Sequence, residues 1–445
     1  MAALHHDEKN SAMIALLPWG NTIEDFLDTI GVSLESFCKE FTGSWMFGYV
    51  DALQRVGVRT VLICISARVT RPSRFRHAPT GATICVLPVP RIYRAIRRKM
   101  LRPYGRTVKQ AFGDVRGTRL PLFPLLAMLR ELVLYLTTPL GLLAHELRRE
   151  GCKAILCQEY EYPRFDVCVL LGQLMRLPVF ATFQGGDYQT SRLERFLRPL
   201  ALRACAGLII PTQTEVQRLR VRYGILPAKL ARIFNPIDLQ LWRATDRAEA
   251  RAALGIPVHA GVVVWHGRIS MRQKGLDVLL DAWERVCHER TGRDLRLLLV
   301  GTGQDAEELR QRIAAMHLRG VLWMKKFVQD RAAIGRYLSA ADVYAFPSRH
   351  EGFPVAPIEA MACSLPVIAA DAQGVPDILE GGEASGGLVV PRNDAAALSL
   401  ALGRVLDNED WSRELGKRAR RRVEACFSFE AVGKQLRAFL FNDQN

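Results

Sequence analysis

"GVVVWHGRISMRQKGLDVLLDAW", residues 261–283, holds one complete strand-to-helix unit. Val262, Val263 and Val264 begin a β-branched run that stops at Gly267, the pattern of a buried strand. Leu276, Leu279, Leu280 and Trp283 then recur at helical spacing. Between them a short loop carries Arg268 and Lys274, flanked by Gly267 and Gly275. A buried strand followed at once by an amphipathic helix is the repeating unit of a parallel sheet covered on both faces, because parallel neighbours need a crossover.

The alternation extends both ways. Downstream lie "LRLLLVGTG" (295–303), "GVLWMKKF" (320–327), "DVYAFPS" (342–348) and "LPVIAAD" (365–371); upstream lie "TVLICIS" (60–66), "KAILCQ" (153–158), "PVFATFQGG" (178–186) and "AGLIIPT" (206–212). The two series are separated by "IFNPIDLQLWRATDRAEARAALGIP" (233–257), where Pro236 breaks the pattern. This predicts an α/β chain of two doubly wound domains, with ligand in a crevice at the carboxyl ends of the strands.

Composition narrows the class. A chain of 445 residues with 49% hydrophobic and 24% charged residues is globular and long enough for two cores. Its net charge of +16 is concentrated, since residues 71–150 hold sixteen Lys or Arg against Asp114, Glu131, Glu146 and Glu150. Such a region either meets an anionic lipid, an acidic acceptor or nucleic acid, or is a solvated arginine-rich face. The ten cysteines (38, 64, 85, 152, 157, 168, 205, 287, 363 and 426) include no C-x-x-C and no Cys/His cluster at zinc spacing. They read as reduced core residues of a cytosolic protein. "MAALHHDEKN" (1–10) has no basic segment followed by an apolar one, so no export is expected.

The longest apolar stretch, "LPLFPLLAMLRELVLYLTTPLGLLAHEL" (120–147), contains Arg130, Glu131 and three prolines. It predicts buried helices rather than a membrane span. A peripheral contact with an anionic membrane is the second reading, because "RIYRAIRRKMLRPYGR" (91–106) sets Ile92, Ile96 and Met100 at helical spacing among cations.

Polar groups gather where the second series of strands ends. Two cations in one loop, Arg268 and Lys274, suit a diphosphate, although either alone reads as a surface charge. Gly301 and Gly303 follow the next strand, where backbone amides can cradle phosphate or contact a base and where a tight turn needs the same residues. The run "SRHEGFPVAPIEAMACSLPVIAADAQGVPDIL" (348–379) places Glu351 in a loop and Glu359 in the early turns of a helix beginning near Pro357. A carboxylate accepts two bonds from a vicinal diol, so Glu359 can hold a ribose while Glu351 reaches the sugar beyond it. Helix-dipole preference accounts for Glu359 alone; it does not account for Glu351, which precedes the helix and is followed by glycine.

With "GRISMRQKGLDVLLDAW" (267–283), "VGTG" (300–303) and "FNPID" (234–238) in order, this run resembles glycosyltransferase family 4, retaining enzymes of the GT-B fold that use nucleotide sugars. The resemblance covers residues 206–441 and is carried by the E-x7-E pair and the upstream Arg and Lys; the amino-terminal half is similar in layout. It implies two Rossmann-like domains facing across a cleft. Residues 1–235 would form the acceptor-side domain, 236–257 a linker, 258–426 the nucleotide-sugar-binding domain, and 427–445 a helix packing back on the first domain.

The resemblance also implies roles. Arg268 and Lys274 would neutralise the leaving diphosphate without a metal, Glu351 would contact the donor sugar, and Glu359 the nucleotide ribose. Backbone amides at Gly352, Phe353 and Val355 would line the phosphate and sugar, and Lys326 and Phe327 would flank the base. "FTGSWMFGYVDALQRVG" (41–57) looks like the first glycine-containing loop, bringing Gly43 and Ser44 to the donor phosphate. "QEYEYPRFD" (158–166) would face the acceptor, with Glu159, Glu161 and Arg164 as candidates.

Two positions depart from the family pattern. Pro354 replaces the glycine usual after "EGF", removing an amide donor. Gln184, in "ATFQGGDYQ" (181–189), stands where many members carry a histidine; glutamine hydrogen-bonds a sugar hydroxyl but does not titrate. In the one-face reaction that the resemblance implies, the leaving phosphate helps deprotonate the acceptor, so Gln184 is compatible with activity. Asp187 either assists or caps a turn.

The expected function is metal-independent, retaining transfer of a sugar from a nucleoside-diphosphate sugar to a hydroxyl acceptor, with no cofactor. The expected partners are the donor and a lipid-linked or polysaccharide acceptor, not nucleic acid, in the cytoplasm or at the inner face of the membrane. Two rivals remain: a non-hydrolysing nucleotide-sugar epimerase, which needs titratable bases in the cleft, and a catalytically silent nucleotide-sugar-binding protein, which Gln184 keeps open.

Overall fold

The computed structural model describes residues 12–42, 44–98, 131–185, 192–326, 328 and 330–441. Gly43, Asp187 and Phe327 lie outside the described residues, as do 120–130 of the apolar stretch and 99–106 of the basic one. The chain divides into two compact units, Met1–Ile233 with Val432–Asn445, and Phe234–Ala431. Among the described residues no helix is long and apolar enough to cross a membrane. All ten cysteines are free thiols, and eight are buried.

The first unit is built on β1 (Met13–Leu17), β2 (Arg59–Ser66), β3 (Ser73–Arg76), β4 (Thr83–Pro88), β5 (Ala154–Cys157), β6 (Val179–Thr182), β7 (Gly207–Ile209) and β8 (Leu230–Ala231). Their order among the described residues is 3-4-2-1-5-6-7-8, parallel except where β3 runs against β4. β1 lies at the centre: Ile14 pairs with both Thr60 and Ala154, and Ile14 to Leu17 are fully buried. A strand covered on both faces shows a continuous apolar run instead of an alternating one, and five residues of it suffice here. The strand order reverses between β1 and β5.

The C-terminal helix Phe429–Phe441 completes this unit. Arg437 donates to the Val56 carbonyl at 2.8 Å, and the Phe439 ring meets the edge of Phe180 with centroids 5.6 Å apart.

The segment expected as a linker, 236–257, is packed into the second unit. Trp242, Ala250 and Ile256 belong to that unit's core, and the Ile237 amide donates to the Phe427 carbonyl at 2.8 Å. Buried Arg251 donates to the Ala340 carbonyl at 2.9 Å and to Asp342 at 2.8 Å. Residues 247–253 form an amphipathic helix whose Ala250 faces inward, and this tie removes the freedom a linker needs.

The second unit contains β9 (Gly261–His266), β10 (Leu295–Val300), β11 (Val321–Met324), β12 (Val343–Phe346), β13 (Val367–Ala370) and β14 (Gly387–Val390), all parallel, in the order 11-10-9-12-13-14 among the described residues. Every residue of β9 is buried. Val262 and Val264 project into one core with Tyr344 and Met361, and Val263 and Trp265 into the other with Leu279 and Trp283, as the two-residue period of a strand requires. Burying each valine contributes about 1.5–3 kcal/mol. Successive strands run one way from β9 and the other way from β12, and open α/β sheets bind ligands in a crevice at the carboxyl ends of the strands at such a reversal.

Candidate active site

The crevice is bordered by residues 267–275 after β9 and 347–355 after β12. The two loops touch at backbone level. Gly275 sits at φ +63°, and a Cβ there would lie 2.0 Å from the Pro347 carbonyl oxygen. Gly301 and Gly303, expected to cradle phosphate, admit an equally close approach, since their Cβ atoms would fall 2.0 and 2.1 Å from the carbonyl oxygens of Gly267 and Ile269. Arg349 clasps the same region: its amide donates to the Gln273 carbonyl at 2.9 Å, and its guanidinium makes two bonds to Asp277 at 2.6 and 2.7 Å. Burial opposes ionisation of Asp277, but the Arg349 guanidinium outweighs it and holds the carboxyl below its usual value.

On this frame the predicted residues converge. Lys274 Nζ donates to Glu351 Oε1 at 2.6 Å, with 18% and 10% of the two side chains exposed. Glu359, in the first turn of the helix Ala356–Ala362, accepts through Oε2 from His266 Nε2 at 2.9 Å. His266 is the last residue of β9, and the Tyr344 hydroxyl of β12 donates to its carbonyl at 3.3 Å. Burial, reinforced by the Glu359 carboxylate, pushes the Tyr344 phenol well above its usual value, so it remains a neutral donor. Exposed Arg268 donates to Gln273 Oε1 at 3.0 Å, an uncharged acceptor. The Phe353 ring is buried against Phe234, with centroids 5.5 Å apart, which anchors the Gly352–Val355 backbone. Lys326 follows β11 and is exposed.

Each carboxylate is therefore tied to a nitrogen group from the β9 side, Glu351 to Lys274 and Glu359 to His266, an arrangement that fixes two hydroxyl-accepting groups. Sequence reasoning missed His266 and Tyr344. The only signal for His266 was a polar residue at the end of a buried strand, two positions before Arg268.

In the first unit, Gln184 follows β6. Its amide donates to Glu159 Oε2 at 3.0 Å and its side chain to Thr182 Oγ1 at 3.1 Å. Glu159, Glu161 and Arg164, the candidates for facing an acceptor, are all buried. Glu159, at φ +118°, also accepts from the Glu161 amide at 3.1 Å, and Arg164 bonds the Pro18 carbonyl. These groups brace the loops leaving β1, β5 and β6. Gly20 lies in the loop that directly follows β1. Residues 18–22 leave β1, Gly20 has φ +92°, and Asp25 accepts from the Asn21 and Thr22 amides at 2.9 Å each.

Burial pushes the Glu159 carboxyl up to about 8 from its usual 4.5, with Glu161 adding to it. A raised value means that the folded chain holds a proton that the unfolded chain has released. Stability is then greatest at low pH and falls as pH rises from 4.5 towards 8, by at most about 1.4 kcal/mol per pH unit. Melting curves of Glu159→Gln should lose this slope; a variant that keeps the wild-type slope assigns the proton elsewhere.

Residues 260–408 match the family described as glycosyl transferases group 1, and residues 100–241 match Glycosyltransferase Family 4. The D-inositol 3-phosphate glycosyltransferase of Saccharomonospora viridis is 33% identical over 253 residues, 55% of this chain and 57% of that protein. Its counterpart from Corynebacterium glutamicum is 30% identical over 316 residues, 66% of this chain and 74% of that protein. The chain thus spans little more than half the length of the first of these relatives. Anabaena HepE, solved in complex with UDP, shares the fold with a TM-score of 0.66 at 16% identity, covering 97% of this chain and 100% of that one. Two parallel-sheet units of GT-B type, the matched segments and the Corynebacterium relative lead to one assignment: the chain belongs to glycosyltransferase family 4.

Proposed function

We propose that the chain is a retaining, metal-independent glycosyltransferase that moves a sugar from a nucleoside-diphosphate sugar to a hydroxyl acceptor. The observation that carries this reading is the pair of anchored carboxylates at the β9/β12 crevice, Glu351 on Lys274 and Glu359 on His266, beside Arg268. Glu359 takes the ribose diol and Glu351 the hydroxyls of the transferred sugar. Lys274 spends one of its three N–H donors on Glu351 and directs the others, with Arg268, to the diphosphate. The names of the Saccharomonospora and Corynebacterium relatives support transfer, and the HepE complex makes UDP the first nucleotide to try.

In the reaction, the bond from the anomeric carbon to the β-phosphate oxygen breaks and its electron pair stays on that oxygen, where the two cations stabilise the charge. The acceptor oxygen bonds to the anomeric carbon on the same face, and its proton passes to the leaving phosphate. Gln184 can donate or accept a hydrogen bond but cannot serve as a base.

A panel of nucleotide sugars screened by thermal stabilisation selects the donor, because a bound ligand raises stability according to its affinity. Nucleoside-diphosphate release that depends on added acceptor, with an anomeric configuration preserved by NMR, is the expected result. Release without transfer, or epimerised donor, would overturn it. With Arg268 and Lys274 supplying the positive charge, turnover after EDTA treatment should stay within about twofold of untreated protein. Loss of turnover that magnesium or manganese restores would remove the metal-independent part of the proposal.

A further inference from the structure

We infer that His266 is a positioning residue for the donor: through a proton on Nε2 it orients the Glu359 carboxylate towards the ribose diol. The inference rests on the ribose role proposed above for Glu359. Its basis is the 2.9 Å contact between His266 Nε2 and Glu359 Oε2, made by an imidazole that is 7% exposed at the end of the central strand. Among the described residues Nδ1 is buried without a hydrogen-bond partner. An ionised carboxylate only accepts, so the bond requires hydrogen on Nε2. The neutral ring then leaves a lone pair at Nδ1 and not an orphaned N–H, the less costly arrangement in a buried place. The opposite tautomer would set two acceptors against each other and leave Nδ1–H unpaired.

The ring is also fixed from the β12 side. Tyr344 meets the imidazole edge-on with centroids 5.3 Å apart, and its hydroxyl bonds the His266 carbonyl. One oxygen of Glu359 is thereby pinned, and rotation of the carboxylate is restricted before a ligand arrives. A pre-set acceptor binds a diol without losing that rotational freedom on binding, which improves affinity without adding a contact.

The test is UDP binding by calorimetry to the full chain, with a second reading that needs no nucleotide. Glu359→Ala and His266→Leu should each weaken UDP about tenfold or more, and the double variant should bind no more than about twofold weaker than Glu359→Ala alone. His266→Gln, which presents an amide N–H near the Nε2 position, should recover most of the affinity. In transfer kinetics the His266→Leu loss should fall on the donor KM with kcat little changed. In the nitrogen spectrum of histidine-labelled protein, Nε2 should carry the proton, and its shift should move in Glu359→Ala.

Wild-type affinity in Glu359→Ala would sink the ribose assignment and the inference with it. If Glu359→Ala weakens UDP but His266→Leu has no effect, or adds its full loss in the double variant, the positioning role is overturned and the ribose assignment stands. An Nδ1–H tautomer, or a His266→Gln protein as weak as Glu359→Ala, overturns the positioning role as well.

Discussion

Lys274→Ala is expected to lower turnover by about a hundredfold to ten-thousandfold, more than any other single side-chain truncation in the crevice. Two losses coincide. The leaving diphosphate forfeits a cation placed where charge develops, and removing one such preorganised group typically costs 10²–10³ in rate. At the same time the Glu351 side chain, 10% exposed, loses the partner held at 2.6 Å. Breaking one half of a largely buried ion pair costs about 3–5 kcal/mol, because the other charge remains uncompensated. The two terms share one contact and do not add. Glu351→Gln is the informative comparison. It keeps the cation and should leave UDP affinity within about threefold while depressing turnover about ten- to a hundredfold, as loss of one charge-assisted hydrogen bond does. Single-turnover kinetics of both variants decide the matter; a Lys274→Ala protein within tenfold of wild type would remove the lysine from the reaction.

Gly275→Ala should be nearly as damaging for a different reason. The added methyl is placed at φ +63°, a strain of about 1–2 kcal/mol, and 2.0 Å from a backbone oxygen of Pro347 that no rotamer change can move. Relief requires the β9 and β12 loops to part. That movement would stretch the Lys274–Glu351 pair and the bond from the Arg349 amide to the Gln273 carbonyl. Overpacking of this kind costs a further 1–3 kcal/mol or so. The expected outcome is a melting temperature lower by roughly 5–15 °C and loss of UDP binding. Gly292→Ala is the control, since a Cβ there meets nothing within 4 Å, and it should melt like wild type. Equal melting of the two variants would show that the loops are not locked together at Gly275.

The second unit was the more legible half because β9, β10, β12 and β13 are buried almost throughout and appear as dense apolar runs, all four inside the segments picked out from the sequence. In the first unit β3, "SRFR", is a polar edge strand and β8 is two residues long, so neither carries a period to detect. β1, "MIALL", was passed over although it is as apolar as the strands that were found. Within the crevice the individual charges were legible and their pairing was not. Lys274 and Glu351 are 77 residues apart, His266 and Glu359 are 93 apart, and only the register of β9 against β12 brings them together. Glu159, Glu161 and Arg164 were read as candidates facing an acceptor, and their burial was not legible because composition does not distinguish a polar group in water from one enclosed by the fold.

The chain leaves the first unit after Ile233 and re-enters it at Val432. In synthesis from the amino end, the last helix of the first unit thus reaches its place only after all of the second has been made. Until then the surface around Val56 and Phe180, which Arg437 and Phe439 later cover, stays open on a nascent chain. The second unit, with both of its ends already emerged, has no such wait. The half of the protein made first is the half that finishes last, and the nascent polypeptide carries that uncovered seam throughout the time taken to translate some two hundred residues.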